Sequence, residues 1–240
     1  MRQLTFDGNN SHPVWTPDGK SLTYGSDRDG SWNLFRQSLE GAAQAEQLTT
    51  GDNPKWPASW SPNGSVLAYH EEHPDSSLDI WLLKMNDRKP EPFLQTRFNE
   101  HQAIFAPNGQ WLAFVSDQSG QDEVYVRAFA GKSESLKVSS AGGKWPMWHP
   151  NGQQLYYRFG DKLMAVAITT KPKFSAATAR ELFARRSRGG RMNISHKSSR
   201  FLFVDADLAQ EVSHLNVVLN WFEELNSKVP SGKRFFGIKF

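Results

Sequence analysis

Seven histidines, His12, His70, His73, His101, His149, His196 and His214, are the side chains of this sequence whose charge can change near neutral pH. Only His70 and His73 are close enough in the chain to share a site, and with Glu71, Glu72 and Asp75 they offer nitrogen and oxygen donors to a metal ion. The same run describes a solvated loop between two strands, which is the reading adopted. Asp27 with Asp29, and Asp117 with Asp122, supply carboxylates for acid–base work or for calcium, which takes six or more oxygens from a shaped loop. Neither stretch has the spacing of a calcium loop, and aspartates in short turns ordinarily accept backbone N–H groups instead. The sequence contains no Gly-x-x-x-x-Gly-Lys-Ser/Thr phosphate loop and no Gly-x-Ser-x-Gly nucleophile elbow. With no cysteine, disulfides and thiolate metal sites are excluded. No catalytic residue, metal or cofactor is therefore expected.

The charge pattern bears on partners. The chain has a net charge of +3, but Arg180 to Arg200 holds seven Lys or Arg against Glu181 alone, and Lys228 to Phe240 adds four cations without an acid. The rest of the chain is mildly acidic, which argues against a broad basic face for nucleic acid. The run Arg185-Arg186-Ser187-Arg188-Gly189-Gly190-Arg191 lacks the interleaved aromatics of a single-strand binding surface and reads as a solvated loop. No apolar run approaches the ~20 residues that span a bilayer. Met1 to Asn10 has no signal-peptide pattern.

The elements that must position these residues repeat. Val14-Trp15-Thr16-Pro17-Asp18-Gly19 returns as Ser59-Trp60-Ser61-Pro62-Asn63-Gly64, Ile104-Phe105-Ala106-Pro107-Asn108-Gly109 and Met147-Trp148-His149-Pro150-Asn151-Gly152, with prolines 45, 45 and 43 residues apart. A fifth, decayed copy is Asn193-Ile194-Ser195-His196-Lys197-Ser198. Proline presets φ at the second position of a tight turn, Asp or Asn tolerates left-handed geometry, and Gly accepts positive φ. Each copy is thus a hairpin turn between a strand ending in an aromatic residue and an alternating second strand, such as Leu22-Thr23-Tyr24 or Leu112-Ala113-Phe114-Val115. Third strands follow at Asn33-Leu34-Phe35, Asp79-Ile80-Trp81, Glu123-Val124-Tyr125, Leu163-Met164-Ala165 and Asn216-Val217-Val218. Fourth strands are read at Gln47-Leu48-Thr49, Pro92-Phe93-Leu94, Leu136-Lys137-Val138 and Glu181-Leu182-Phe183.

Four strands every 43 to 46 residues is the period of a propeller blade. The sequence predicts an all-β protein, one β-propeller domain over 1–240 with repeats at about 6–50, 51–96, 97–140, 141–186 and 187–222. The fifth repeat lacks a fourth strand, and residues 1–5, which match one in Arg2-Gln3-Leu4-Thr5, are in phase to supply it and close the ring. The alternative is a fragment of a six- to seven-bladed ring. Residues 221–240 are expected to form a short helix, with Trp221, Leu225 and Val229 on one side and Pro230 as its stop, followed by a basic tail.

At these residues the chain resembles the TolB-like, WD40-like propeller repeat of bacteria, with its Pro-x-Trp-Ser-Pro-Asp-Gly-x-x-Leu-x-Tyr unit, Ser-Asp-rich loop and Asp-Ile-Trp strand. Its end, Asn216 to Leu225, resembles the terminus of propeller regions that follow a serine/threonine kinase domain and a membrane helix in some soil bacteria. That resemblance implies an extracytoplasmic sensor or interaction domain that binds a protein or peptide partner. In a propeller the connections entering the innermost strands surround the central channel on one face. Here they carry His12, Trp56, His101, Trp145 and Arg191, a set suited to a peptide or a small polar ligand. The expected function is a non-catalytic binding module, sensor or scaffold. The alternatives are a propeller lyase or hydrolase using His12 or His101 as general base, and a purely structural repeat.

Overall fold

The five turn segments are closed by the same hydrogen bond. The N–H two residues before each hairpin's tip region bonds a carbonyl five residues on: Thr16 to Ser21, Ser61 to Val66, Ala106 to Trp111, His149 to Gln154, and Ser195 to Arg200, all at 2.8–3.0 Å. The decayed fifth copy therefore keeps the frame of the other four. In the first four, only the glycine occupies the left-handed region, with φ of 69° to 71° at Gly19, Gly64, Gly109 and Gly152. Asp18, Asn63, Asn108 and Asn151 do not adopt the left-handed geometry expected of them. Their Oδ1 atoms instead accept the N–H two residues on, at 2.9–3.1 Å, which explains the residue types by side-chain capping.

A computed structural model describes residues 2–40, 44–131, 133–170, 173–185, 192–195, 200–203 and 216–217. The expected C-terminal helix and tail, Arg191, His196 and His214 lie outside them. The order begins with a short strand, β1 (Arg2–Gln3), followed by a first blade of β2 (Asn10–Trp15), β3 (Ser21–Ser26), β4 (Asn33–Ser38) and β5 (Glu46–Gln47). The second blade is β6 (Lys55–Trp60), β7 (Val66–His73), β8 (Ser77–Lys84) and β9 (Pro90–Leu94), and the third is β10 (Glu100–Phe105), β11 (Trp111–Ser116), β12 (Glu123–Ala128) and β13 (Leu136–Lys137). In the fourth, β14 (Lys144–Trp148) and β15 (Gln154–Phe159) lead to a long β16 (Lys162–Thr169), whose outer edge takes both β17 (Ser175–Ala176) and β18 (Arg180–Ala184). The fifth repeat shows β19 (Met192–Ile194) paired with β20 (Phe201–Phe203), and β21 (Asn216–Val217) pairs antiparallel with β1, Arg2 against Val217. Neighbouring strands within a blade are antiparallel and consecutive in sequence, except that β18 of the fourth blade pairs with β16 beyond β17.

The second strands do not alternate between core and solvent as their pattern suggested. Thr23, Tyr24 and Ser26 are all fully buried: Trp60 of the second blade lies over Thr23 and donates its Nε1–H to Thr23 Oγ1 at 3.3 Å, while Arg28 donates to the Tyr24 hydroxyl at 2.7 Å and the Phe35 ring stacks on Tyr24. Apolar clusters accordingly lie between blades: Leu34 and Leu48 with Trp60, Leu67 and Tyr69, then Ile80 and Leu82 with Phe105 and Phe114, then Val124 and Val126 with Trp148 and Tyr157. Ile194 of the fifth repeat packs with Met147 and Tyr156 of the fourth.

The turns also touch one another. A Cβ at Gly64, Gly109 or Gly152 would meet the Cδ of Pro17, Pro62 or Pro107 of the preceding blade at 3.9, 3.4 and 3.9 Å. Gly109→Ala is expected to cost about 1–2 kcal/mol from its positive φ. Urea unfolding checks this, and a loss no larger than that of a loop alanine elsewhere would contradict it.

Candidate functional site

The innermost strands of the first four blades share a defect at one repeat position. Each carries a bulge against its second strand, between Ser11 and Val14, Pro57 and Ser59, His101 and Ile104, and Lys144 and Met147. Three residues before the turn aromatic, His12, Gln102 and Trp145 adopt left-handed backbone, with φ of 52°, 57° and 57°. Such a conformation costs a non-glycine residue roughly 1–2 kcal/mol. The second blade has Pro57 there, whose ring holds φ negative, and its bulge is displaced by a residue.

The bulges bring the expected rim residues into linked pairs. The imidazole of His12 lies 6.2 Å from the indole of Trp56, and the Trp32 indole lies 6.4 Å from it. Trp56 can lie there because position 25 is glycine: a Cβ would fall 3.1 Å from Trp56 Cδ1. Trp56 thus packs between blades, whereas Trp145 remains 40% exposed. The Trp145 N–H donates to Gln102 Oε1 at 2.6 Å, joining the third and fourth blades. Arg191, the fifth of the expected set, is outside the described residues.

Asp122 gathers the charged part of the rim, with Oδ2 2.7 Å from Lys144 Nζ and Oδ1 3.6 Å from His101 Nε2. Burial works against the Asp122 anion, but Lys144 and His101 hold its carboxyl below the usual range. His101 moves the other way to its partner's pull: burial lowers its pKa in spite of Asp122. Behind it stands His70, which is not in a loop. The strands β7 and β8 run long, so His70 is a strand residue facing the inner strand of the next blade. Its Nε2 accepts the Ala103 N–H at 3.2 Å, and burial, with His101 and His12 nearby, lowers it to about 3. His73 ends the same strand and faces exposed Asp75 at 4.0 Å. Among the described residues no group of three or more His, Asp or Glu is arranged to hold a metal.

The acidic loops tie connections together over longer range than a local turn. Asp27 accepts both the backbone and the side-chain amide of Asn9, at 2.7 and 2.8 Å, and Asp117 accepts the Asn99 N–H at 3.0 Å. Each fixes the segment entering an inner strand from the loop after the second strand. Gln102, Lys144, Trp32 and His70 were not singled out as rim residues by sequence. Gln102 carried the signal, since it stands at the same offset from Phe105 as His12 from Trp15 and Trp145 from Trp148.

No protein-family model matches the chain. An uncharacterized protein of Agrobacterium fabrum is 24% identical over 156 residues, which are 60% of this chain and 52% of that one. The chain therefore spans about half the length of the curated relative it matches. Among solved structures, TolB from Acinetobacter baumannii superposes with a TM-score of 0.62 at 17% identity, covering 78% of this chain and 46% of TolB. The β-propeller domain of Cps50 (Swd1) from Myceliophteria thermophila gives 0.59 at 14% identity, covering 83% and 62%. No helix among the described residues is long and apolar enough to cross a membrane. With its antiparallel four-stranded sheets and these neighbours, the chain has the β-propeller fold of TolB-like and WD40-like proteins.

Proposed function

We propose that this propeller is a non-catalytic binding module that takes a peptide segment of a partner protein, or a small polar ligand, on the rim formed by His12, Trp56, His101 and Trp145, with Arg191 as their counterpart in the fifth repeat. One observation carries the reading. Three inner strands hold large polar or aromatic residues at a backbone position where glycine would cost less. Strain retained at equivalent places around a rim marks side chains kept for contact with something else. Trp145 offers a half-exposed anchor, Gln102 an amide beside it, and Asp122 with Lys144 a pair of opposite charges, the mixture that peptide-binding surfaces use.

Trp145→Gly should separate binding from folding. Its unfolding free energy should stay within about 1 kcal/mol of the wild type, because glycine relieves the φ it inherits. Peptides selected from a random displayed library on the immobilised wild-type chain should lose at least about tenfold in affinity on the variant. Undiminished peptide binding, or a large stability loss, would exclude the rim as the site. A second reading, a lyase or hydrolase with His101 as general base oriented by Asp122, is favoured by the approach of those two groups alone. It requires turnover that His101→Asn abolishes while peptide binding persists.

A further inference from the structure

A concavity lies between the first two blades, next to the rim: Lys55 in its lining precedes Trp56 in β6, and the Lys55 N–H donates to the Trp32 carbonyl at 2.9 Å. It has a volume of about 550 Å³ and is bounded by the connection from β5 to β6 and by the face of the second blade turned toward the first. This is within the size range of small-molecule sites. Its floor holds a charged pair that does not close. Lys55 on β6 and Glu71 on β7 are directly opposed across the strands, and Lys55 is only 5% exposed. Lys55 Nζ nevertheless makes one hydrogen bond, to the Asn53 carbonyl at 2.7 Å, while Asn53 Nδ2 donates to Glu71 Oε1 at 3.1 Å. Asn53 is a wedge holding the ammonium and the carboxylate apart; the Tyr69 hydroxyl donates to Glu71 Oε2 at 3.5 Å, which leaves two N–H groups on Lys55 and one further acceptor position on each Glu71 oxygen.

We propose that this cavity binds a small neutral saccharide. A buried ammonium with unspent N–H groups needs acceptors. The same ligand must also meet the carboxylates of Glu71 and Asp52, so an anion would be repelled by those two, and a cation would leave the Lys55 N–H groups without an acceptor. A hydroxyl both accepts and donates, and a polyol satisfies both signs without bringing a charge. The one other cation of the lining, Arg88, is already engaged by Glu46 of the first blade. Trp81, which is half-buried, forms part of the wall and gives the C–H surface of a pyranose an apolar counterpart.

Calorimetric titration of the full chain with neutral mono- and disaccharides, glycine and acetate tests the assignment. At least one neutral sugar should bind with a Kd of about 1 mM or tighter. Glu71→Gln and Lys55→Met should each weaken it about tenfold, the worth of one hydrogen bond to a charged group. Circular dichroism confirms that each variant is folded, and Glu71→Gln carries the test if Lys55→Met is not. Trp145→Gly should leave sugar binding unchanged, which separates this site from the rim. Failure of every sugar to bind, binding of glycine or acetate in their place, or unaltered affinity in folded Glu71→Gln would overturn it.

Discussion

Trp148→Ala is expected to lower the unfolding free energy by about 4 kcal/mol, and Trp15→Ala by less than about 1 kcal/mol, although the two residues occupy the same place in their repeats. The difference follows from what lies in front of each blade. Trp60, Phe105 and Trp148 are 8%, 6% and 5% exposed, and each is sealed by the preceding blade, whereas Trp15 is 43% exposed. Trp148 also loses the hydrogen bond from its Nε1 to the Ile104 carbonyl at 3.3 Å. A truncation there opens a cavity between the third and fourth blades, where Val126, Leu155 and Val166 cannot all move to fill it. Urea unfolding of the two variants side by side gives the comparison. Equal losses would mean that in solution the leading face of the first blade is covered as the others are.

Glu100→Gln is expected to stabilise the protein above pH 7 by about 2–3 kcal/mol and to flatten its pH dependence between about 4.5 and 7. Glu100 begins the inner strand of the third blade and is 1% exposed. Thr96 Oγ1 donates to its Oε1 at 2.5 Å, while Oε2 has no partner among the described residues. Asp79, equally buried, accepts from Ser76 Oγ with Oδ2 at 2.7 Å, and its Oδ1 has no partner among the described residues. Burial first, then the charges of Asp79 and Asp117, raise Glu100 to about 7, against the opposing pull of Thr96. A carboxyl with a raised folded pKa binds more protons in the native state than in the unfolded chain. Its contribution to stability is therefore complete below about pH 4.5 and is lost as the pH rises through about 7. Gln keeps the shape without the charge. The difference in unfolding free energy between variant and wild type, measured at pH 5 and pH 8, should grow with pH. A difference that shrinks would mean that Glu100 is ionised at little cost.

The hairpin turns were legible because their chemistry is local: proline, an amide or carboxylate cap, and glycine determine a turn without reference to anything distant. Repetition then located the fifth copy, whose Ser195 to Arg200 bond survives although its proline and glycine do not. Strand faces were less legible. Thr23 reads as the polar position of an alternating strand, and only packing against the second blade, whose Trp60 donates to its hydroxyl, makes it interior. His70 was misplaced for a related reason. The polar run from His70 to Asp75 looks like a loop, but pairing of β7 with β8 continues through His73, and polar residues are tolerated at the projecting end of a hairpin. The rim was half legible. Position in the repeat singled out His12 and Trp145, but the bulge that sets Gln102 beside Trp145 depends on strand register. The link from His101 through Asp122 to Lys144 joins two blades and has no signature along the chain.

The bulge at each inner strand has a consequence for how such a protein changes over time. Because the backbone there is already bent outside the range that most side chains prefer, the fold does not depend on which residue occupies the slot, as His12, Gln102 and Trp145 demonstrate by having nothing in common. The first, third and fourth blades each contribute one such slot, and a substitution in one leaves the hydrogen-bonded frame of the others in place. New specificities can then arise one residue at a time, in any order, on a scaffold that does not need to be rebuilt.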